Sequence, residues 1–178
     1  MIYLSEVRRS PEGLAFNEAP SLLESIKERY DQVLNLERIQ ASGQVAYDNG
    51  LYLLDYQLSY DITLPSSRSL EPVTLSFNYP VSETFIQEAD AALQKELVEE
   101  NLVLILDGDT INLDESILDN ILLNIPLRVL TPEEESGQIS LSGKDWEVLS
   151  EEDFAALKQG EKEASNPFAQ LNGLFDDN

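Results

Sequence analysis

The clearest regularity along the chain is a period of two over residues 51–64, LYLLDYQLSYDITL. Tyr52, Leu54, Tyr56, Leu58, Tyr60, Ile62 and Leu64 fall on one face, and Asp55, Gln57, Ser59, Asp61 and Thr63 on the other. Alternation this sustained predicts a long strand with one face on a core and the other mostly wet. Its length also predicts a bend or bulge. Upstream, IQASGQVAY at 39–47 alternates more loosely, with Ile39, Ala41, Val45 and Tyr47 together, and DNG at 48–50 joins the two runs. Asn-Gly tolerates positive φ at both central positions of a two-residue hairpin loop, so the two strands are predicted to be antiparallel neighbours. Downstream, PSSRSLEP at 65–72 interrupts the alternation before Val73, Leu75 and Phe77 resume it against Thr74, Ser76 and Asn78. Proline lacks the N–H and serine bonds its own backbone, so this stretch reads as a turn into a third strand.

Elsewhere the period is helical. Residues 21–34, SLLESIKERYDQVL, place Leu22, Leu23, Ile26, Tyr30, Val33 and Leu34 near one face, and Ser21 with Glu24 forms a capping-box pattern. DESILDNILLNI carries Ile117, Leu118, Ile121, Leu122 and Ile125 on a stripe, with Asn112 and Glu115 as a capping pair and Pro126 as the stop. This helix is expected to be the main cover for the sheet. MIYL suggests a short strand, EADAALQKELVEE a short helix, LVLIL at 102–106 another strand, and DGD at 107–109 a turn. No internal repeat or βαβ alternation is evident. The expected fold class is therefore α+β. An antiparallel sheet of about four to six strands, curled toward a barrel, carries covering helices. Residues 1–130 are expected to form one core domain.

Composition sharpens the C-terminal boundary. From Val129 to Asn178 there are 12 acidic and 3 basic residues, a net of −9, with short apolar pieces at Trp146, Phe154 and Phe168–Phe175. Residues 131–178 therefore read as an acidic, partly flexible extension with short amphipathic segments. The whole chain of 178 residues carries 34 acidic and 11 basic residues, a net charge of −23, with neither cysteine nor histidine. Disulfides, thiolate metal sites and His-dependent nucleophilic catalysis are excluded. There is no Gly-rich phosphate loop followed by Lys. The acidic field opposes DNA, bare RNA and anionic membranes, and favours a basic protein partner. No apolar run reaches the ~18 residues a spanning helix needs. The opening MIYLSEVRRSPEG is unlike a signal peptide, because arginines follow its short apolar run. A cytoplasmic, non-enzymatic protein without cofactors is expected.

Two sets of side chains nevertheless invite chemistry. Asp107, Asp109 and Asp114 cluster in LDGDTINLDE, but an EF-hand frame starting at Asp107 puts Ile111 at position 5, Asn112 at position 6 and Leu118 at position 12. Calcium binding of that type fails. The alternative left to these residues is a carboxylate-based hydrolase, which requires two acids facing each other in a cleft. Tyr52, Tyr56 and Tyr60 could stack bases, yet they share a face with Leu54, Leu58 and Ile62, and core packing is the expected role.

The ordered features resemble the YceD family, named for a bacterial large-subunit ribosomal RNA accumulation protein. The family's strand runs into Cys-x-Arg-Cys-Leu-x-Pro; here the residues are Ser66-Ser67-Arg68-Ser69-Leu70-Glu71-Pro72, with serine at both cysteine positions. Asp109, Ile111, Leu113 and Asp114, then Leu122, Leu123 and Pro126, match its aspartate-rich turn and its helix ending in Leu-Pro. Asn166-Pro167-Phe168-Ala169-Gln170-Leu171 is similar to its C-terminal Asp-Pro-Arg-Phe/Trp-x-x-Leu element. TPEEESGQISLSGKDW replaces the cysteine-rich stretch of many members, so the metal binding those members imply is lost here. The resemblance implies a non-catalytic ribosome-biogenesis factor supporting 23S rRNA accumulation or processing and large-subunit assembly. Its partner would be a basic ribosomal protein or the pre-ribosomal particle, with direct rRNA contact as a further route. Arg68, Leu70, Pro72, Pro167, Phe168 and Leu171 are the partner-binding candidates. Arg8, Arg9 and Arg128 are expected to reinforce Arg68 if RNA is touched. In so acidic a chain Arg68 also suits a local salt bridge or a loop-fixing hydrogen bond. The remaining reading is an acidic protein-interaction adaptor unrelated to ribosomes.

Overall fold

A computed structural model describes residues 1–92, 95–100 and 102–136, together with a strand pair at 142–143 and 146–147. The chain divides into two units, Met1–Val129 and Leu130–Asn178. The first contains β1 (Ile2–Tyr3), α1 (Leu4–Arg9), β2 (Leu14–Glu18), α2 (Leu23–Arg29), β3 (Asn35–Asp48), β4 (Leu51–Pro65), β5 (Pro72–Gln87), α3 (Glu88–Ala91), α4 (Lys95–Glu99), β6 (Leu104–Leu106), β7 (Thr110–Ile111) and α5 (Leu113–Leu123). In the second, α6 (Pro132–Glu135) begins at a capping box in which Thr131 and Glu134 bond each other's backbone N–H, and β8 (Ser142–Gly143) pairs with β9 (Trp146–Glu147).

The DNG turn and the long alternation produce what they predict. Asn49 (φ 48°) and Gly50 (φ 91°) both take positive φ, and β3 and β4 run antiparallel from the turn. All seven alternating residues of β4, from Tyr52 to Leu64, are buried. The predicted bulge lies on the partner strand. The β3–β4 register shifts between Glu37 and Gln40, with Arg38 at φ 54°. That extra residue lets Leu36 and Ile39, three apart, both face the core, which strict alternation forbids. Arg38 then pairs with the buried Asp61 of β4.

Close approach explains one glycine. Gly43 of β3 stands between Phe16 on β2 and Tyr56 on β4. A methyl group there would meet the Asp55 carbonyl and come within 2.5 Å of the Tyr56 Cα. The Phe16 and Tyr56 rings, 5.9 Å apart, supply the packing that the glycine lacks.

The sheet order is β2-β3-β4-β5-β6, with β1 paired to β7 separately. Two expectations about it are corrected. The sheet is open rather than barrel-like, since β2 and β6 are separate edges, and β6 runs parallel to β5. β5 is the long third strand the alternation from Val73 predicts, and at 16 residues it runs on through Pro80 to Gln87. β6 pairs only with Phe85–Gln87, so Pro80 lies where β5 is a sheet edge and a missing N–H is tolerated.

Helix limits move as well. The 21–34 pattern yields only Leu23–Arg29; Leu22 is the N-cap, no side chain caps it, and Tyr30 turns extended. EADAALQKELVEE, expected as one short helix, contains two, α3 and α4. The Asn112 side chain makes no cap bond, and α5 stops at Leu123, before Pro126. Glu115 bonds Arg29 of α2 instead, at 2.6 Å. α1 and β2 carried too little periodicity to be foreseen. Leu4, Val7, Ile26, Ile117, Leu118 and Ile121 from the helices join the β4 face in one core. Among the described residues no helix is long and apolar enough to cross a membrane.

Candidate functional site

Pro65 and Pro72 face each other as the last pair of the β4–β5 ladder. Neither has an N–H to extend it, so the chain leaves the sheet there. The Ser66 N–H donates to the Glu71 carbonyl (2.8 Å) and the Leu70 N–H to the Ser66 carbonyl (3.2 Å), closing the loop. The Ser66 hydroxyl is fully buried and accepts from the N–H groups of Arg68 (3.1 Å) and Ser69 (3.3 Å). The serines are thus the loop's internal scaffold, bonding backbone as short hydroxyl side chains do.

That scaffold turns the other side chains outward. Arg68, Leu70 and Pro72 are all exposed. Leu70 is 74% exposed and takes φ 63°. Left-handed backbone is rare for a residue with a Cβ, costing roughly 1–2 kcal/mol. The loop is held against the segment that follows α5. The Ser67 N–H donates to the Val129 carbonyl (2.8 Å), and the Val129 N–H donates to Ser67 Oγ (3.0 Å). Leu127 and Arg128, just before this junction, are exposed. A groove of about 50 Å³ runs between the segments, lined among others by Leu64, Pro65, Ile125, Pro126 and Leu127. Sequence reasoning missed Leu127 as a candidate. The available signal was an apolar residue directly after the helix-stopping Pro126, with arginine next to it.

The arginines divide by environment. Arg8 donates to Tyr52 and Gln87, Arg29 pairs with Glu115 and Asp119, and Arg38 pairs with Asp61. Among the described residues, Arg9, Arg68 and Arg128 make no ion pair. The expected local salt bridge of Arg68 is therefore absent there, and the loop is fixed by Ser66. The expected four-arginine patch also splits. Arg8 contacts the start of β4 and the end of β5, whereas Arg68 and Arg128 flank the Ser67–Val129 junction at the other end. The intervening β4 residues, Tyr52 to Pro65, span about 40 Å at strand rise.

The acids do not converge as a hydrolase would require. Asp107 and Asp109 are exposed on the turn between β6 and β7, and Asp114 is exposed in the first turn of α5. They form no cleft. Another carboxylate, Glu83 of β5, is gripped by neutral donors. Ser116 Oγ donates to it at 2.7 Å and Asn120 Nδ2 at 2.6 Å. The Tyr56 hydroxyl lies 2.9 Å from Ser116 Oγ, and Tyr79 donates to the Asn120 carbonyl at 3.0 Å. Burial pushes the Tyr56 phenol well above its ordinary range, against the opposing Ser116 hydrogen bond. This network pins α5 to the sheet. Among the described residues no three acids gather as a metal site. Pro167, Phe168 and Leu171 lie outside the described residues.

Comparison with known proteins adds two findings. The family model described as large ribosomal RNA subunit accumulation protein YceD matches residues 54–175. The uncharacterized protein YlbN of Bacillus subtilis (strain 168) is 29% identical over 143 residues, covering 80% of each chain. No solved structure matches.

Proposed function

The chain belongs to the YceD family, and from that membership we propose that it is a ribosome-biogenesis factor acting by binding rather than catalysis. In this reading it works in the cytoplasm, supporting 23S rRNA accumulation and large-subunit assembly. The supporting observation is how the loop holds Arg68, Leu70 and Pro72. A buried serine locks the backbone while these three stay exposed, one of them at an unfavourable φ. Strain of this kind with no internal role points to an external contact. The −23 charge selects the partner class: a basic ribosomal protein, alone or within the pre-ribosomal particle. Direct rRNA contact is the second reading, supported by Arg68 and Arg128 making no ion pair among the described residues.

Depleting the protein is the test. Lower 23S rRNA and fewer mature large subunits on gradients are expected; unchanged levels would remove the ribosomal role and leave an unrelated adaptor. Pull-downs across a salt series, with rRNA alone and with ribosomal proteins, separate the two partner readings. RNA capture that persists unchanged in Arg68→Ala would count against Arg68 as an RNA contact.

A further inference from the structure

Among the described residues β5 has a neighbour on one side only for most of its length. β4 lines it from Pro72 to Ile86, whereas β6 pairs with Phe85–Gln87 alone. The main-chain groups presented by the other edge follow from the ladder. The Ser66 N–H donates to the Glu71 carbonyl, so that pair is of the hydrogen-bonded kind and Pro65–Pro72, next to it, is not. Alternation then turns the N–H and C=O groups of Val73, Leu75, Phe77 and Tyr79 toward β4, and those of Thr74, Ser76 and Asn78 toward the free edge. Pro72 and Pro80 share the outward parity and bring no N–H to it. The core face thins at the same place. Leu64, Ile62 and Tyr60 of β4 are at most 2% exposed, but their β5 partners Val73, Leu75 and Phe77 are only half-buried. From Pro72 to Ser82 there is no charged residue, although the chain carries a net charge of −23.

We propose that this edge receives an extended segment of the basic partner protein as an added strand. The segment's main chain pairs with Thr74, Ser76 and Asn78. Its alternate apolar side chains cover Val73, Leu75 and Phe77, and the lysines or arginines between them project to the other face. Charge complementarity selects the occupant. The acidic field draws a basic segment and repels an acidic one or a second copy of this chain, while the uncharged edge lets the ladder form without stripping water from an ion. RNA has no row of amide N–H groups with which to continue a sheet. Pro72 and Pro80 bracket the free groups, so the edge takes one short strand and resists open-ended sheet growth. The inference rests on the basic-partner reading above and adds where and how that partner is held.

The test is amide hydrogen exchange on the full chain, alone and with a synthetic peptide of about seven residues alternating valine and lysine. In the chain alone, Leu75, Phe77 and Tyr79 are expected to exchange slowly, and Thr74, Ser76 and Asn78 quickly. The peptide should slow these three. The same peptide with aspartates for the lysines, or with every backbone N–H methylated, should not. Ser76→Pro removes an N–H that β4 does not use, as Pro80 already does at the same parity, and should weaken peptide binding by about tenfold. An unchanged thermal melt checks its fold, and the exchange pattern of the unaltered chain reads the edge without any variant. Thr74, Ser76 and Asn78 already protected in the chain alone would overturn the proposal, because the edge would then be filled by the chain itself or by a second copy. Protection by oligouridine instead of the peptide would overturn it in favour of RNA. Peptide binding that leaves these three amides fast would sink the edge and spare the basic-partner reading, whereas no binding of the basic peptide at all would count against both. Levels of 23S rRNA after depletion test the ribosomal role separately.

Discussion

The two ends of the long β4–β5 pair use arginine in opposite ways. At the hairpin end, Arg8 is exposed but engaged by its neighbours. It donates to Tyr52 and Gln87, lies 5.1 Å from the Tyr47 ring centroid and 5.6 Å from that of Tyr52, and is 3.8 Å from Asp90. At the proline end, Arg68 lends only its backbone N–H to the fold, and its guanidinium stays exposed. One arginine fastens α1 to the sheet; the other is held out by a serine that does the fastening. Residue type alone therefore says little about role in this chain, and the hydrogen-bond environment decides it.

This contrast can be broken from the fastened side first. Tyr52, Tyr56, Tyr60 and Tyr79 all hold their protons more tightly folded than unfolded, chiefly through burial. Because the folded pKa values are raised, the unfolded chain ionises first, above pH about 10. Stability should be fully present below that pH and fall as pH climbs beyond it, the largest change foreseen. Urea denaturation at neutral and alkaline pH measures it, and Tyr56→Phe should flatten the alkaline slope. Next, Arg8→Ala should cost about 2 kcal/mol, through lost hydrogen bonds and the cation–π contact. The same denaturation midpoints check it; a shift below a few tenths would mean that the hairpin end is no better fastened than the loop.

Smaller effects sharpen the loop side. Ser66→Ala should cost about 1–2 kcal/mol by stripping a buried acceptor from two N–H groups. Amide exchange at Arg68 and Ser69 should quicken more than in the sheet. Arg68→Ala should move stability by less than about 0.5 kcal/mol, as an exposed side chain with no ion pair among the described residues does. The same variant should nonetheless reduce restoration of 23S rRNA in depleted cells. Loss of stability comparable to Arg8→Ala would show that Arg68 is structural after all.

Much of the central sheet was legible because its signals are local. The Asn49-Gly50 turn, the seven-residue face of β4 and the proline-bounded loop each follow from a few adjacent residues. The misses were of another kind. The second half of β5 was not assigned, since the alternation that marks Val73–Phe77 does not continue clearly beyond it. α2 was overextended because Val33, buried beyond the helix end, fits the helical stripe while lying in a turn. Of the candidate contacts, Arg68, Leu70 and Pro72 were readable from the family pattern. The groove was not, since a junction between Ser67 and Val129 spans 62 residues and no local pattern encodes it.

The amino-acid sequence by itself determined the strand-rich α+β class, the hairpin, the loop and the family, all carried by short-range pattern and motif order. Tertiary structure alone decided the parallel placement of β6, the open edges, and which arginines are engaged. It also decided that two serines, one buried and one bonded to Val129, build the stage for Arg68. Those outcomes depend on which distant groups meet to satisfy one another's hydrogen bonds and charges, and such meetings are settled only when the whole chain packs.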